Sequence, residues 1–259
     1  MITLKDLLLK DNPSNILNEM YKEKTLKNFE KSLLDLDMKV PEGYRHKNNF
    51  FHSLKVLDNA ISREKSGKDI ILRTAALFHD IGKPKTREFH KNGVVSFTNH
   101  DIVGAKMIRE ILKNHNYKNE EIKLVSLLIR YHMRSHTFKV GWTDSAVRRL
   151  MKDCGSEEQL ERLIILLYSD VTSSNKEKVE SIHKDIKELE VAFSRVRKED
   201  HRKALRPSLN GYEVMDLLGI EGKDLGVVMK FLNSDEIVFL DKDESVRKVK
   251  EFWNNYSRG

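Results

Sequence analysis

The stretch "AALFHDIGKPKTR" (Ala75–Arg87) constrains the fold of this chain most. A largely apolar helical run ends in two ionisable residues side by side, His79 and Asp80, and Gly82 and Pro84 then stop the helix. A polar side chain at the end of a segment made for burial must find partners, because one left unpaired costs on the order of 2–7 kcal/mol. Any fold of this chain therefore has to deliver further polar groups to the doublet. The pair alone is weak as a signal, since composition repeats it at His100-Asp101.

Only four prolines and twelve glycines occur in 259 residues, which argues for long helices and few turns. Residues 3–37 read as helices with apolar positions such as Ile16, Met20, Leu33 and Leu34. "KVPEGYRHKNN" (39–49), with Pro41 and Gly43, reads as a loop. Helices are expected at about 50–63, 69 to 79 or 81, 99–114, 120–134, 143–153 and 156–173, with Ser156 and Gln159 forming a capping box. "REFHKNGVVSF" (87–97) carries the β signal, a small hairpin around Asn92-Gly93. Val179, Ile182, Ile186, Leu189, Phe193 and Val196 form a coiled-coil-like seam. It suits packing within the chain, and it also makes a homodimer worth testing. "GYEVMDLLGIEGKDLGVVMKFL" (211–232) predicts two short helices around a Gly219–Gly222 turn, before a charged terminal helix. The expected class is all-α, a helical bundle with one small β-hairpin. Its expected divisions are an N-terminal helical extension (1–43) packed on a central domain (44–207), and a C-terminal helical appendage (208–259).

The net charge of +7 fits an acidic partner such as RNA, a nucleotide or a phosphate ester. The plainer alternative is that 47 basic and 40 acidic residues simply keep the surface solvated. Cys154 is the single cysteine, which excludes an intrachain disulfide and a thiolate metal cluster and suits a small apolar filler. Lys5, Asp6 and Lys10 interrupt the N-terminal apolar stretch and spoil it as a signal peptide. No run approaches the roughly 20 apolar residues of a membrane span. A soluble cytoplasmic protein is the expectation.

Partners for the doublet come in an ordered series. His52 opens "FHSLKVLDNA", His100 follows the hairpin in "FTNHDIVGA", His132 ends "LVSLLIRYHM", and Asp170 follows "LERLIILLYS". Each sits at the edge of an apolar run, where a side chain can enter a bundle while the backbone stays helical. Taken singly, each histidine has an ordinary reading as a satisfied core or surface residue. As a set they suit a divalent cation, because imidazole nitrogen and carboxylate oxygen together accept Mn, Fe, Ni, Co, Zn or Mg to differing degrees.

The series His52, His79-Asp80, His100, His132, Asp170 resembles the HD superfamily of metal-dependent phosphohydrolases. Closer still is the HD region of bacterial CCA-adding tRNA nucleotidyltransferases, similar in "HSLKVLDNA", "RTAALFHDIGKPKTR", "FTNHDIVGAKMI", "IRYHM", "AVRRLM" and "LNGYEVMDLLGIEGKDLG" over roughly 44–232. Those enzymes also carry a catalytic domain with a Gly-Ser motif and a DxD carboxylate pair. Here "DLD" (Asp35–Asp37) precedes the first glycine, Gly43. Asp35 and Asp37 are accordingly read as surface charges, and the chain is expected to be a stand-alone HD unit that adds no nucleotides. Gly222-Lys223 stands where the family usually has Gly-Pro.

The resemblance implies that His52, His79, Asp80 and Asp170 hold one metal. His100 and His132 would then hold a second with Asp80 bridging, or contact substrate phosphate. A divalent ion with open positions lowers the pKa of its water and offsets charge on a phosphoryl oxygen, so no serine or cysteine nucleophile is needed. Asp80 would orient that water. Lys83, three residues on, is a candidate for phosphate contact and catalysis, with Arg87 and Arg134 as further substrate-binding candidates; a solvated basic residue is the alternative for each. His136 reads as a surface residue, and His46, His90, His115, His183 and His201 as solvated. The expected function is a phosphodiesterase or phosphatase for nucleotides or RNA 3′ ends, with 2′,3′-cyclic phosphates among its substrates. The rivals are a nucleotidase for free mononucleotides and a non-catalytic module for tRNA-like RNA with a structural metal.

Overall fold

Apolar spacing becomes helix nearly wherever the sequence predicts it. The computed structural model describes residues 2–39, 41–42, 44, 47–134, 141–234 and 236–257, with Lys203 described by its backbone alone. Gly43, His46 and His136 lie outside the described residues. The elements are α1 (Leu4–Leu8), α2 (Pro13–Lys22), α3 (Leu26–Phe29), α4 (Lys31–Asp35), α5 (Asn49–Ile61), α6 (Ile70–Phe78) and α7 (Lys83–Thr86), followed by β1 (Glu88–Phe89) and β2 (Val95–Ser96). After the hairpin come α8 (His100–Asn114), α9 (Asn119–Tyr131), α10 (Asp144–Cys154), α11 (Glu157–Asp170), α12 (Lys176–Ala204), α13 (Gly211–Leu218), α14 (Gly222–Leu232) and α15 (Lys242–Tyr256). The hairpin, antiparallel with Glu88 opposite Ser96 and Phe89 opposite Val95, is the β structure among the described residues.

Polar caps set the helix starts. Asn48 accepts from the Phe51 amide to open α5, and Asp69 accepts from the Ile71 and Leu72 amides to open α6. Ser156 caps α11 through the Gln159 amide. The expected capping box is only half made: the Gln159 side-chain oxygen accepts from Arg162 Nη1 at 3.3 Å, and its amide donates to the Leu124 carbonyl on α9. Pro84 belongs to the first turn of α7, so it opens a short helix as well as ending the previous segment.

The chain divides into two units, Met1–Phe193 and Ser194–Gly259, with the division inside α12. In the first unit α6 is the centre: every residue from Ile71 to Phe78 is buried, and α1, α5, α9 and α11 pack against it. α8 lies along α9, α7 against α8, and α2 against α5. At the N-terminus Leu4, Leu7, Leu8, Leu17, Leu26, Leu33 and Leu36 are fully buried, whereas Ile16 and Met20 are only half-buried. The second unit has its own core of Leu209, Val214, Val228, Leu232, Ile237 and Val249, with Phe231 stacked on Phe252 at 4.1 Å. Ile186, Leu189, Phe193 and Val196 of the seam are buried within the chain. Cys154 is buried at the end of α10, and that burial pushes its thiol up to about 12.

Three expectations are corrected here. Asp37 is not a plain surface charge: it is half-buried and accepts from the Tyr21 hydroxyl and the Asn48 amide, the latter on the residue that caps α5. His115 is not solvated, since its Nε2 lies 2.7 Å from Glu30 Oε2 with both side chains largely covered. His183 is half-buried, edge-on to the Tyr168 ring at 5.3 Å.

Arg73, in the middle of α6 and 2% exposed, ties the N-terminal helices to the bundle. Its Nε and Nη2 donate to the two Glu64 oxygens at 2.6 Å each, and its Nη1 donates to the Leu8 and Lys10 carbonyls at 2.7 and 2.9 Å. Arg73→Ala should destabilise the protein by about 3–5 kcal/mol, because it strands a buried carboxylate and two carbonyls. The check is the urea midpoint at unchanged slope, and the pair Arg73→Met with Glu64→Leu should cost less than the single change.

Glu30 supplies a pH signature. Burial raises its pKa, but hydrogen bonds from His115 and Ser32 outweigh burial and hold it below the ordinary 4.5. A depressed folded-state pKa contributes stability that is present above 4.5 and lost as pH falls through the folded value. Glu30→Gln should therefore be about 1–2 kcal/mol less stable than wild type near neutrality, with the gap closing below pH 4.5 in a denaturation series.

Candidate metal centre

Helix ends build the site. His79 is the C-cap of α6, His132 the C-cap of α9, Asp170 the last residue of α11, and His100 the first residue of α8. His52 lies in the first turn of α5. Packing of α5, α9 and α11 around α6 brings these ends to one place.

The six side chains lie close together. His52 Nε2 lies 2.9 Å from Asp170 Oδ1 and 3.2 Å from His79 Nε2. His79 Nε2 is 3.3 Å from Asp80 Oδ2 and 3.4 Å from Asp170 Oδ1. The other Asp80 oxygen, Oδ1, is 3.4 Å from His100 Nε2 and 3.8 Å from His132 Nε2, and those two nitrogens are 3.2 Å apart. Asp80 thus stands between two donor groups, His52/His79/Asp170 on one side and His100/His132 on the other, and each set of three with a carboxylate is compact enough to hold an ion. His79 and Asp80 are closed off at 0% and 2% exposure, while Asp170 reaches solvent with 19% of its side chain.

Backbone carbonyls orient the imidazoles. His79 Nδ1 lies 2.9 Å from the Ala76 carbonyl, His132 Nδ1 2.6 Å from that of Ile129, and His100 Nδ1 2.8 Å from that of Phe97. At the ends of α6 and α9 these are carbonyls the helix itself leaves unpaired. With Nδ1–H so committed, each ring in its neutral form presents a lone pair at Nε2, and a bound cation takes the place of the Nε2 proton of a charged one. The lone pairs of His100 and His132 then face each other, with Asp80 Oδ1 beside them. Acceptors crowded in this way repel unless a cation stands among them, and nitrogen with carboxylate oxygen is a donor set suited to a divalent transition metal.

The electrostatics agree. Burial alone would lower the His79 pKa, yet the Asp80 and Asp170 carboxylates outweigh it and raise it to about 10. Burial would raise both carboxylates, but the charge on His79, joined at Asp80 by Lys83, holds them well below the usual range. Burial and the positive charge on His79 push His132 down to about 4. The cluster thus favours positive charge beside its carboxylates.

Of the basic candidates, Lys83 is at the cluster: its Nζ is 2.6 Å from Asp80 Oδ2 and 5.5 Å from the Phe97 ring centroid. Arg134 lines a cleft together with His100, and its guanidinium lies over the Tyr131 ring at 5.1 Å and the Trp142 ring at 5.8 Å. Arg87 is turned to other partners, donating to the Lys39 carbonyl at 2.8 Å and covering Phe89 at 5.1 Å.

Several supporting residues escaped sequence reasoning. The Thr172 hydroxyl meets His52 Nδ1 at 3.1 Å, and Asn59 donates to the Ser169 carbonyl at 2.9 Å, binding α5 to the end of α11 beside Asp170. Gly82 touches α8 so closely that an added Cβ would sit 2.0 Å from the His100 carbonyl oxygen and 2.6 Å from the Gly104 nitrogen. A glycine four residues after His100 in "HDIVGA" was the available hint. Asn99, in the left-handed region at φ +60°, turns the chain into α8.

Residues 49–175 match the family model described as the HD domain, and the whole cluster falls inside that match. This segment is an HD domain. Over 209 residues the chain is 28% identical to an A-adding tRNA nucleotidyltransferase of Deinococcus radiodurans, covering 76% of this chain and 46% of that protein. Over 162 residues it is 32% identical to a CC-adding tRNA nucleotidyltransferase of Thermus thermophilus, covering 62% and 34%. A bifunctional uridylyltransferase/uridylyl-removing enzyme of Vibrio vulnificus is 28% identical over 113 residues, covering 42% and 12%. The chain therefore spans less than half the length of these curated relatives. The HD domain is homologous to the HD region of the tRNA nucleotidyltransferases, and HD domains form a superfamily of metal-dependent phosphohydrolases. No helix among the described residues is long and apolar enough to cross a membrane.

The Gly82 contact yields a prediction for the HD domain. Gly82→Ala cannot be accommodated by side-chain movement, because the clash is with backbone. It should push α8 away, separate His100 from Asp80, and lower affinity for added Mn by roughly 10–100-fold, the range for residues that support ligands. Isothermal titration of metal into wild type and variant, with circular dichroism to monitor helix content, provides the measurement.

Proposed function

We propose that the protein is a metal-dependent phosphohydrolase acting on phosphoesters of nucleotides or RNA 3′ ends, 2′,3′-cyclic phosphates among them. The observation that carries this reading is the Asp80 carboxylate, whose two oxygens each face a separate set of imidazole nitrogens. His52, His79, Asp80 and Asp170 would hold one ion, and Asp80, His100 and His132 a second. When bound, the metal supplies an acidified water and offsets charge on a phosphoryl oxygen.

The chain's own groups do the rest. Asp80, fixed between the imidazoles, would orient the attacking water. Lys83, whose ammonium now rests on Asp80 Oδ2, is near enough to serve an incoming phosphate. Arg134 borders the cleft beside His100 and would bind substrate; Arg87 would do so only by leaving its carbonyl partner on Lys39. The HD domain would carry the chemistry within residues 44–207, with 1–43 as an extension and 208–259 as an appendage. Two of the relatives are, by name, tRNA nucleotidyltransferases, which favours RNA over small esters.

The test is turnover of 2′,3′-cyclic AMP and of bis-p-nitrophenyl phosphate with Mn, Ni, Co or Mg added. Asp80→Ala should lower turnover by more than roughly 100-fold, beyond the effect of losing a residue that merely supports a ligand, while helix content persists. Wild-type turnover in that variant would sink the reading, as would inertness of the native protein with every metal. Inertness joined to salt-sensitive RNA binding would make it a binding module.

A further inference from the structure

Two clefts of about 260 Å³ each share Arg134 as a lining residue. The first is bounded by Phe97, Asn99, Asp101 and the cluster's own His100. The second, bounded by Tyr131, Trp142, Arg149 and Asp153, includes none of the six cluster residues. Arg134 joins them while lying over two rings, Tyr131 at 5.1 Å and Trp142 at 5.8 Å. Rings hold a guanidinium by its face, and the guanidinium is the cation best suited to phosphate oxygens. Arg149 is exposed on α10, and Trp142 is half-buried just before that helix. Of the two acids, Asp153 already accepts from the Tyr131 hydroxyl, and Asp101 faces the first cleft only.

A strand can occupy both clefts at once, since they share Arg134 and the second includes no residue of the cluster. Alternating cations and aromatic faces track a nucleic-acid backbone and its bases with little regard to sequence. We propose that the two clefts meeting at Arg134 are a subsite for nucleotides flanking the phosphate held at the cluster, so that the ligand is a single-stranded oligonucleotide. Phosphates lie against Arg134 and Arg149, and a base stacks on Trp142. This rests on the phosphohydrolase reading for what happens at the cluster, though binding along the clefts can be measured without catalysis.

The experiment is fluorescence anisotropy of labelled hexaribonucleotide and hexadeoxyribonucleotide with the full chain, with AMP as competitor, over a salt series. The hexamer should bind at least roughly tenfold more tightly than AMP. Trp142→Ala should weaken it by about tenfold, and Trp142→Phe should restore most of the loss. Arg149→Ala should weaken it and reduce the salt slope by about one. Ribo- and deoxyribo-hexamers bound alike assign the subsite to phosphates and bases, whereas a ribo preference adds the ribose hydroxyl to its contacts. Hexamer and AMP bound equally, or no change in both Trp142→Ala and Arg149→Ala, overturns the proposal. If hexamer binding discriminates while no phosphoester is turned over, the hydrolase reading fails and the subsite stands. If bis-p-nitrophenyl phosphate is turned over while AMP and hexamer compete equally, the subsite fails and the hydrolase reading stands.

Discussion

A carboxylate held in the middle of a helical bundle is tolerable only if positive charge or hydrogen-bond donors surround it. Asp80, 2% exposed, is that carboxylate. Around it the structure arranges four imidazoles, the Lys83 ammonium and a second carboxylate, each from the end or edge of a different segment. The helix that delivers Asp80 is buried over nearly its whole length, so it cannot yield without disturbing α1, α5, α9 and α11 together. The rigidity of that core is what lets the polar cluster keep a fixed geometry.

Local backbone chemistry supplies the precision. Helix C-termini expose carbonyls, and two of the histidines use those carbonyls to fix their own rings. The same bond that satisfies the helix end aims Nε2 inward. Glycine does the complementary work at the α7–α8 junction, where Gly82 admits the backbone of α8 to a distance no side chain would allow. Outside the cluster, Arg73 and the Tyr21–Asp37–Asn48 chain anchor the N-terminal helices to α6 and α5, and Asn48 caps the helix that carries His52.

Legibility varied with the range of the interaction. His52, His79, Asp80, His100, His132 and Asp170 were readable because each interrupts an apolar helical run, and because their order resembles a known family. Lys83 was readable from its spacing to Asp80. Asp37 and His115 were misread as solvent-facing, since their partners, Asn48 and Glu30, lie 11 and 85 positions away and nothing nearby announces them. Gln159 was assigned to a local cap, but its oxygen accepts from Arg162 and its amide is drawn to the Leu124 carbonyl, 35 positions away. Ile16 and Met20 carried the right period, yet Leu17 is the residue that is buried, because the packed neighbours choose which face of α2 turns inward.

By itself the sequence determined which runs become the main helices, where the hairpin turns, and that ionisable residues would sit at the edges of buried runs. Those features follow from hydrogen bonds and steric rules acting within a few residues. Only the tertiary structure decided that His52 and Asp170, 118 positions apart, would meet at 2.9 Å, and that Asp80 would divide its oxygens between two imidazole groups. Such juxtapositions depend on how whole helices pack around α6, a balance of burial over the entire bundle that no short window of residues contains.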